Sequence, residues 1–71
     1  MTHRIDPNAG YSVRLTHRKG YVCENVSWAE ARWHAHQLYM SWRCAECITV
    51  EDAAGNAMRW WHYDDNGIEI R

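Results

Sequence analysis

Apolar and polar positions change period several times along this chain, and each change marks an element. From Tyr11 to Thr16 they alternate: Tyr11, Val13 and Leu15 point one way, and Ser12, Arg14 and Thr16 the other. Period two over six residues predicts a half-buried strand. His17-Arg18-Lys19-Gly20 reads as a turn, and Tyr21 to Val26 as a returning strand, so residues 11–26 form a hairpin. The period then lengthens. Trp28, Ala31, Ala35, Leu38 and Trp42 fall at helical spacing and make one apolar stripe, with Trp33, Gln37 and Met40 on a different face. Ser27 followed by Glu30 is a capping box. No glycine or proline interrupts 28–42, so one helix spans them.

Beyond the helix the short period returns. Cys47–Glu51 predicts a strand with Ile48 and Val50 on one face. Asp52-Ala53-Ala54-Gly55-Asn56 is a turn, and Ala57–Tyr63 the next strand. Asp64-Asp65-Asn66-Gly67 predicts a type I′ hairpin turn, because Asn-Gly readily takes left-handed angles. Gly67–Arg71 closes as a short strand with Ile68 and Ile70 inward. Residues 1–10, with the only proline, form an irregular lead-in, and 11–71 one domain. The order is ββαβββ: an α+β fold in which one helix covers one face of an antiparallel sheet. The expected core is Val13, Leu15, Trp28, Ala31, Ala35, Leu38, Trp42, Ile48, Val50, Trp60, Ile68 and Ile70.

The helix leaves the other sheet face open to water. Alternation sets Trp60 and Trp61 on opposite faces and, by itself, leaves open which is inward. Met58, Trp60 and His62 form the more apolar set; Arg59, Trp61 and Tyr63 then form an outer one.

Composition sharpens that picture. Five tryptophans and four tyrosines, with no phenylalanine, occupy 71 residues. A domain this small cannot bury nine large aromatics, so some of them lie in a contact surface. Trp, Tyr and Arg are the residues enriched at binding hot spots. The candidate binding residues are Arg14, Arg18, Lys19, Arg59, Trp61, Tyr63 and Trp33. The formal net charge is −1 but unevenly spread. Residues 1–19 carry Arg4, Arg14, Arg18 and Lys19 against Asp6, whereas 51–71 are mostly acidic. That balance argues against a histone-like nucleic-acid binder, which needs a basic excess. A nucleic-acid module that stacks bases on Arg59, Trp61 and Tyr63 is the alternative to protein binding.

Other chemistries have less to stand on. Cys44-x-x-Cys47 has zinc-knuckle spacing, and Cys23 with His34, His36 or His62 completes four ligands on paper. A second pair at matching spacing is missing, and small buried hydrophobes explain the cysteines as well. A redox role for the same pair is weaker, since it does not open a helix in a βαβ unit. His34 and His36 point about 200° apart on a helix and cannot grip one ion together. No nucleophile, base and orienting group fall into one cleft, so no enzyme and no cofactor are expected. With no apolar run of about 20 residues and no apolar leader, a cytoplasmic chain with reduced thiols and no membrane partner is expected.

The layout resembles that of small phage-encoded anti-CRISPR proteins acting on type I systems. The stretch that carries the resemblance is Ile48-Thr49-Val50-Glu51 through Gly55, then Trp60 to Tyr63, Asp65, Gly67 and Ile68. The likeness lies in strand order, turn placement and aromatics over about a third of the chain. It implies a stoichiometric inhibitor without catalytic residues, docked on a Cas subunit of a crRNA-guided surveillance complex in the bacterial cytoplasm. No family site residue is carried over by it.

Overall fold

A computed structural model describes residues 4–70. The first three residues of the lead-in and Arg71, the end of the expected last strand, lie outside them. The strands are β1 (Tyr11–Leu15), β2 (Cys23–Val26), β3 (Ile48–Asp52) and β4 (Ala57–Met58), with helix α1 (Trp28–Trp42) between β2 and β3. They form one antiparallel sheet in the order β2-β1-β3-β4, and α1 packs on one face of it. The α+β reading therefore holds.

Pairing of β1 with β3 sets the register of everything else. Val13 lies opposite Val50 and Leu15 opposite Ile48, so the apolar residues of both strands meet on the helix side. Val13 and Val50 are fully buried. On the other face Ser12 lies opposite Glu51 and Arg14 opposite Thr49. At the sheet edge, β2 is irregular: its register shifts between Tyr11 and Val13, and Asn25 takes φ 54°. Such a bulge twists an edge strand away from pairing with other chains.

Helix α1 begins where its cap predicts. Ser27 is extended at φ −65°, ψ 161°, and its Oγ accepts the Glu30 N–H at 3.3 Å. At the other end Arg43 is left-handed (φ 56°) and its N–H closes on the Tyr39 carbonyl at 2.7 Å. Trp28, Ala31 and Ala35 are the buried residues of the helix. Two small side chains in that stripe let the helix axis approach the sheet. Trp42 continues the stripe but is 54 % exposed, against expectation. Fifteen residues give a helix about 22 Å long, whereas five-residue strands span about 17 Å. The last turn overhangs the sheet and has little beneath it. Leu38 and Leu15 are half-buried for the same reason.

The described part of the lead-in is hydrogen-bonded to the rest of the fold. Ile5 N–H donates to the Gly67 carbonyl at 2.9 Å, and the Pro7 carbonyl accepts the Trp28 N–H at 2.9 Å. The Tyr11 hydroxyl donates to the Asp6 carbonyl. Trp28 stands at the centre: fully buried, with Tyr11 and Tyr63 edge-on at 5.1 and 5.9 Å. Its indole N–H donates to the Asp64 carbonyl at 2.7 Å.

After Met58 the chain departs from expectation. The expected strand 57–63 ends at Met58, and Trp60–His62 form a single 3-10 turn. The expected strand 67–71 reduces to isolated bridges, Arg4 with Ile68 and Tyr63 with Glu69. Ile68 is only half-buried and Ile70 is 55 % exposed, because no extended strand is there to turn both inward.

Two turns share one design. Asp52 and Asp64 each accept two backbone N–H groups on Oδ1, from residues two and four further on, at 2.9–3.0 Å. Each also accepts on its own carbonyl the N–H of a left-handed glycine three residues on, Gly55 or Gly67. The second turn is thus not the expected type I′: the left-handed angle falls on Gly67, at φ 80°, rather than on Asn66. An ideal Cβ on Gly67 would come within 2.7 Å of the Ile5 carbonyl, so glycine is required there for space as well.

Replacing Trp28 by Phe should keep most of the apolar volume while removing one of the two donors to the Asp64 carbonyl, which retains the Gly67 N–H. The expected loss is about 1–3 kcal/mol in urea unfolding, with Trp28→Ala losing about 3–5 kcal/mol. Equal stability of Trp28→Phe and the parent would show that the indole hydrogen bond contributes nothing. The amide hydrogen bonds accepted by the Asp52 carboxylate hold its pKa below the usual aspartate value. Because the folded pKa is the lower one, this contribution is complete at neutral pH and disappears as pH falls through the folded value. Carboxyl titration followed by NMR is expected to place Asp52 below 3.8, and an unshifted titration would rule the turn network out.

Candidate functional site

The candidate binding residues do not share one surface. Arg14 is on the open sheet face, and its Nε pairs with Glu51 Oε2 at 3.2 Å, diagonally across β1 and β3. The Tyr21 hydroxyl donates to the other oxygen of Glu51 at 2.8 Å. This hydrogen bond and the Glu51 charge raise the Tyr21 phenol above its ordinary pKa. Thr16 and Thr49 join their hydroxyls at 2.8 Å on the same face. The open face is polar and its arginine is matched by a carboxylate.

The stacking platform of Arg59, Trp61 and Tyr63 is not formed. It depended on a strand through 57–63, and the 3-10 turn removes the alternation. Arg59 is exposed and Trp61 half-buried. Tyr63 turns to the helix side, where its ring meets Trp28 and its carbonyl accepts Arg32 Nε at 2.7 Å. Arg18 and Lys19 are exposed on the loop between β1 and β2. Trp33 is 58 % exposed on the back of α1, edge-on to His34 at 5.0 Å.

The structure instead builds a site around Trp61. Trp60 is 3 % exposed and packs under Tyr39 of the helix, at 6.2 Å between rings. Its indole N–H meets no acceptor among the described residues. Trp61 follows in the 3-10 turn and crosses Trp60 edge-on at 5.7 Å. It lines two shallow clefts. One, of about 300 Å³, is bounded by Arg32, His36, Tyr39, Ala45 and Trp60. The other, of about 280 Å³, is bounded by Glu46, Ile48, Thr49, Ala57, Met58 and Arg59. Trp61 is their shared wall.

Arg32 fixes one rim. Besides its bond to the Tyr63 carbonyl, its Nη1 pairs with Asp65 Oδ1 at 2.8 Å. The guanidinium therefore ties α1 to the C-terminal turn while its stem lines the cleft. Sequence reasoning missed Arg32, weighed His36 only as a zinc ligand, and grouped Tyr39 with Trp33 and Met40 on the outer helix surface rather than with Trp61. Arg32, His36 and Tyr39 stand beside the buried stripe on the helical wheel, the one signal that could have found them.

The cysteines are paired differently from expectation. Cys44 and Cys47 form a disulfide, with Cα atoms 5.3 Å apart, across the 3-10 turn Ala45–Cys47. The expected reduced pair is corrected by the turn itself. It brings the two side chains together, which a strand could not do at that spacing. Cys23 is free, and burial raises its thiol pKa. Among the described residues, no group of three or more His, Cys, Asp or Glu side chains gathers in a way that could hold a metal ion. Nor is any described helix long and apolar enough to cross a membrane. Comparison with protein-family models, curated proteins and solved structures finds no match.

Proposed function

We propose that this protein is a non-enzymatic binding module that docks on another protein through the surface around Trp61. The observation that carries the reading is a half-buried tryptophan shared by two open clefts. A ring held this way presents one large apolar edge in a nearly fixed position, so little side-chain freedom is lost when a partner covers it. Arg59 at the rim of one cleft supplies a cation for a carboxylate on the partner. Both clefts are shallow, which suits protruding side chains of a protein better than an enclosed small molecule. The partner is a protein surface that offers an apolar side chain next to an acidic one.

The specific form of this proposal is inhibition of a type I crRNA-guided surveillance complex. Its support is the resemblance in layout to small anti-CRISPR proteins. In this form the domain acts by bulk, docking on a Cas subunit and occluding a target-DNA channel or a subunit joint. Direct base stacking has less support, since the Tyr63 ring packs against Trp28 and Arg14 is matched by Glu51.

Co-elution with crRNA-loaded type I complexes on a sizing column tests the specific form, and a lane with DNA alone tests the nucleic-acid alternative. Trp61→Ala is expected to weaken capture by about 1–3 kcal/mol, and Arg59→Ala to follow in the same direction. Arg14→Ala should stay within about twofold, because Arg14 lies on the open sheet face, is already paired with Glu51 and borders neither Trp61 cleft. A flat response to both Trp61→Ala and Arg59→Ala would sink the site. Retention on DNA alone would replace the reading with the nucleic-acid one.

A further inference from the structure

The four residues Cys44-Ala45-Glu46-Cys47 do more than connect α1 to β3. Ala45 lines one Trp61 cleft, and Glu46 lines the other. Cys47 lines a third hollow of about 120 Å³ with Leu15, His17, Arg18 and Trp42, beneath the overhanging end of the helix. One disulfide closes this turn. Both its cysteines are half-buried, so a thiol can approach them.

Little else depends on the bond. Helix α1 is already ended by left-handed Arg43, whose N–H is satisfied by Tyr39. Strand β3 is held along its length by β1. A cross-link with a sequence separation of 3 constrains the unfolded chain far less than one closing a long loop. The turn itself has two internal hydrogen bonds, Cys47 N–H to the Cys44 carbonyl at 3.2 Å and Ile48 N–H to the Ala45 carbonyl. The Cys47 carbonyl accepts the Thr16 N–H at 2.8 Å, which anchors its far end to β1.

We infer that Cys44–Cys47 is a thiol–disulfide exchange site whose oxidation state sets the shape of the Trp61 surface. The co-substrate is a dithiol. Its thiolate attacks one sulfur of the pair, forming a mixed disulfide and releasing the other sulfur as a thiolate that takes up a proton. The second thiol of the co-substrate then displaces the mixed disulfide. The co-substrate leaves oxidised, as its own disulfide, and Cys44 and Cys47 leave reduced, as two thiols, having gained two electrons and two protons. With the clasp open, the turn keeps its two internal hydrogen bonds and its anchors at Arg43 and Thr16, whose hydroxyl also donates to the Glu46 carbonyl at 3.2 Å. It loses its one covalent constraint, and Ala45 and Glu46 shift in both clefts at once. The exchange chemistry stands on the turn alone; its consequence for binding rests on the docking reading above.

Three measurements on the whole protein test this, with dithiothreitol as the dithiol. Alkylation counted by mass spectrometry is expected to find at most one reactive thiol before reduction and three after it in denaturant. Far-ultraviolet circular dichroism should be unchanged by reduction. Amide exchange at Ala45, Glu46 and Cys47 should rise by about tenfold on reduction, while Ala31 and Ala35 amides keep their protection. A double variant, Cys44→Ser with Cys47→Ser, should reproduce the reduced exchange pattern without any reductant. Loss of the helix signal on reduction would make the bond a structural staple and overturn the proposal. Resistance to millimolar dithiothreitol, three free thiols in the unreduced protein, or unchanged exchange in the turn would each overturn it too. None of these readouts uses a partner, so failure of the docking reading shows up separately, as a flat Trp61→Ala response.

Discussion

A buried indole that donates a hydrogen bond to the Asp64 carbonyl is the constraint on which this fold depends. Trp28 opens the one α-helix among the described residues, so whatever holds its ring also sets where the helix starts against the sheet. Its backbone N–H is held by Pro7, its ring by Tyr11 and Tyr63, and its indole N–H by Asp64. Lead-in, first strand, helix and C-terminal turn thus meet on one residue. A domain of this size has too little interior to hold such segments by burial alone. Directional contacts to one large side chain offset part of that deficit.

The same constraint explains why the Trp61 surface exists. Asp64 must lie under Trp28, on the helix side, whereas β4 runs along the sheet edge. The five residues between Met58 and Asp64 have to cross that gap. A continued strand would carry the chain outward along the sheet, so it folds into a 3-10 turn instead. Trp60 is driven beneath Tyr39, and Trp61, its neighbour, is left at the rim. Arg32 then secures the crossing by binding both the Tyr63 carbonyl and Asp65.

Local signals were legible in the sequence, and tertiary ones were not. Ser27 and Glu30 gave the start of α1, because a cap is decided within four residues. Period two gave β1 and β3, and the register Val13–Val50 confirmed which faces turn inward. Between Ala57 and Tyr63 the same rule failed. Alternation is a property of a strand, and whether the chain stays a strand there is settled by the pull of Trp28 on Asp64, 36 residues away in sequence. The misplacement of Arg59, Trp61 and Tyr63 on one face follows from that single miss. Trp42 failed for another reason: helical spacing identifies a stripe but not where the supporting sheet ends. The repeated Asp-x-x-Gly pattern at 52–55 and 64–67 was present to be read.

Nine large aromatics divide evenly by exposure, and the division bears on the docking surface proposed above. Tyr11, Trp28 and Trp60 are buried; Tyr21, Trp33 and Trp42 are exposed; Tyr39, Trp61 and Tyr63 lie between. The exposed three are apart from one another: on the open sheet face, on the back of the helix and at its overhanging end. An isolated exposed ring is ordinary on a protein surface and is free to turn. Ordering it against a partner costs rotamer entropy that its area must offset. Two of the half-buried three border one cleft, with Trp60 as the floor and Arg32 and His36 alongside. Their rings are already fixed by the fold, so that entropy is lost in folding rather than in binding. On the docking reading, affinity per unit area is therefore greatest where exposure is partial, which is the reason for proposing Trp61 over the three exposed rings.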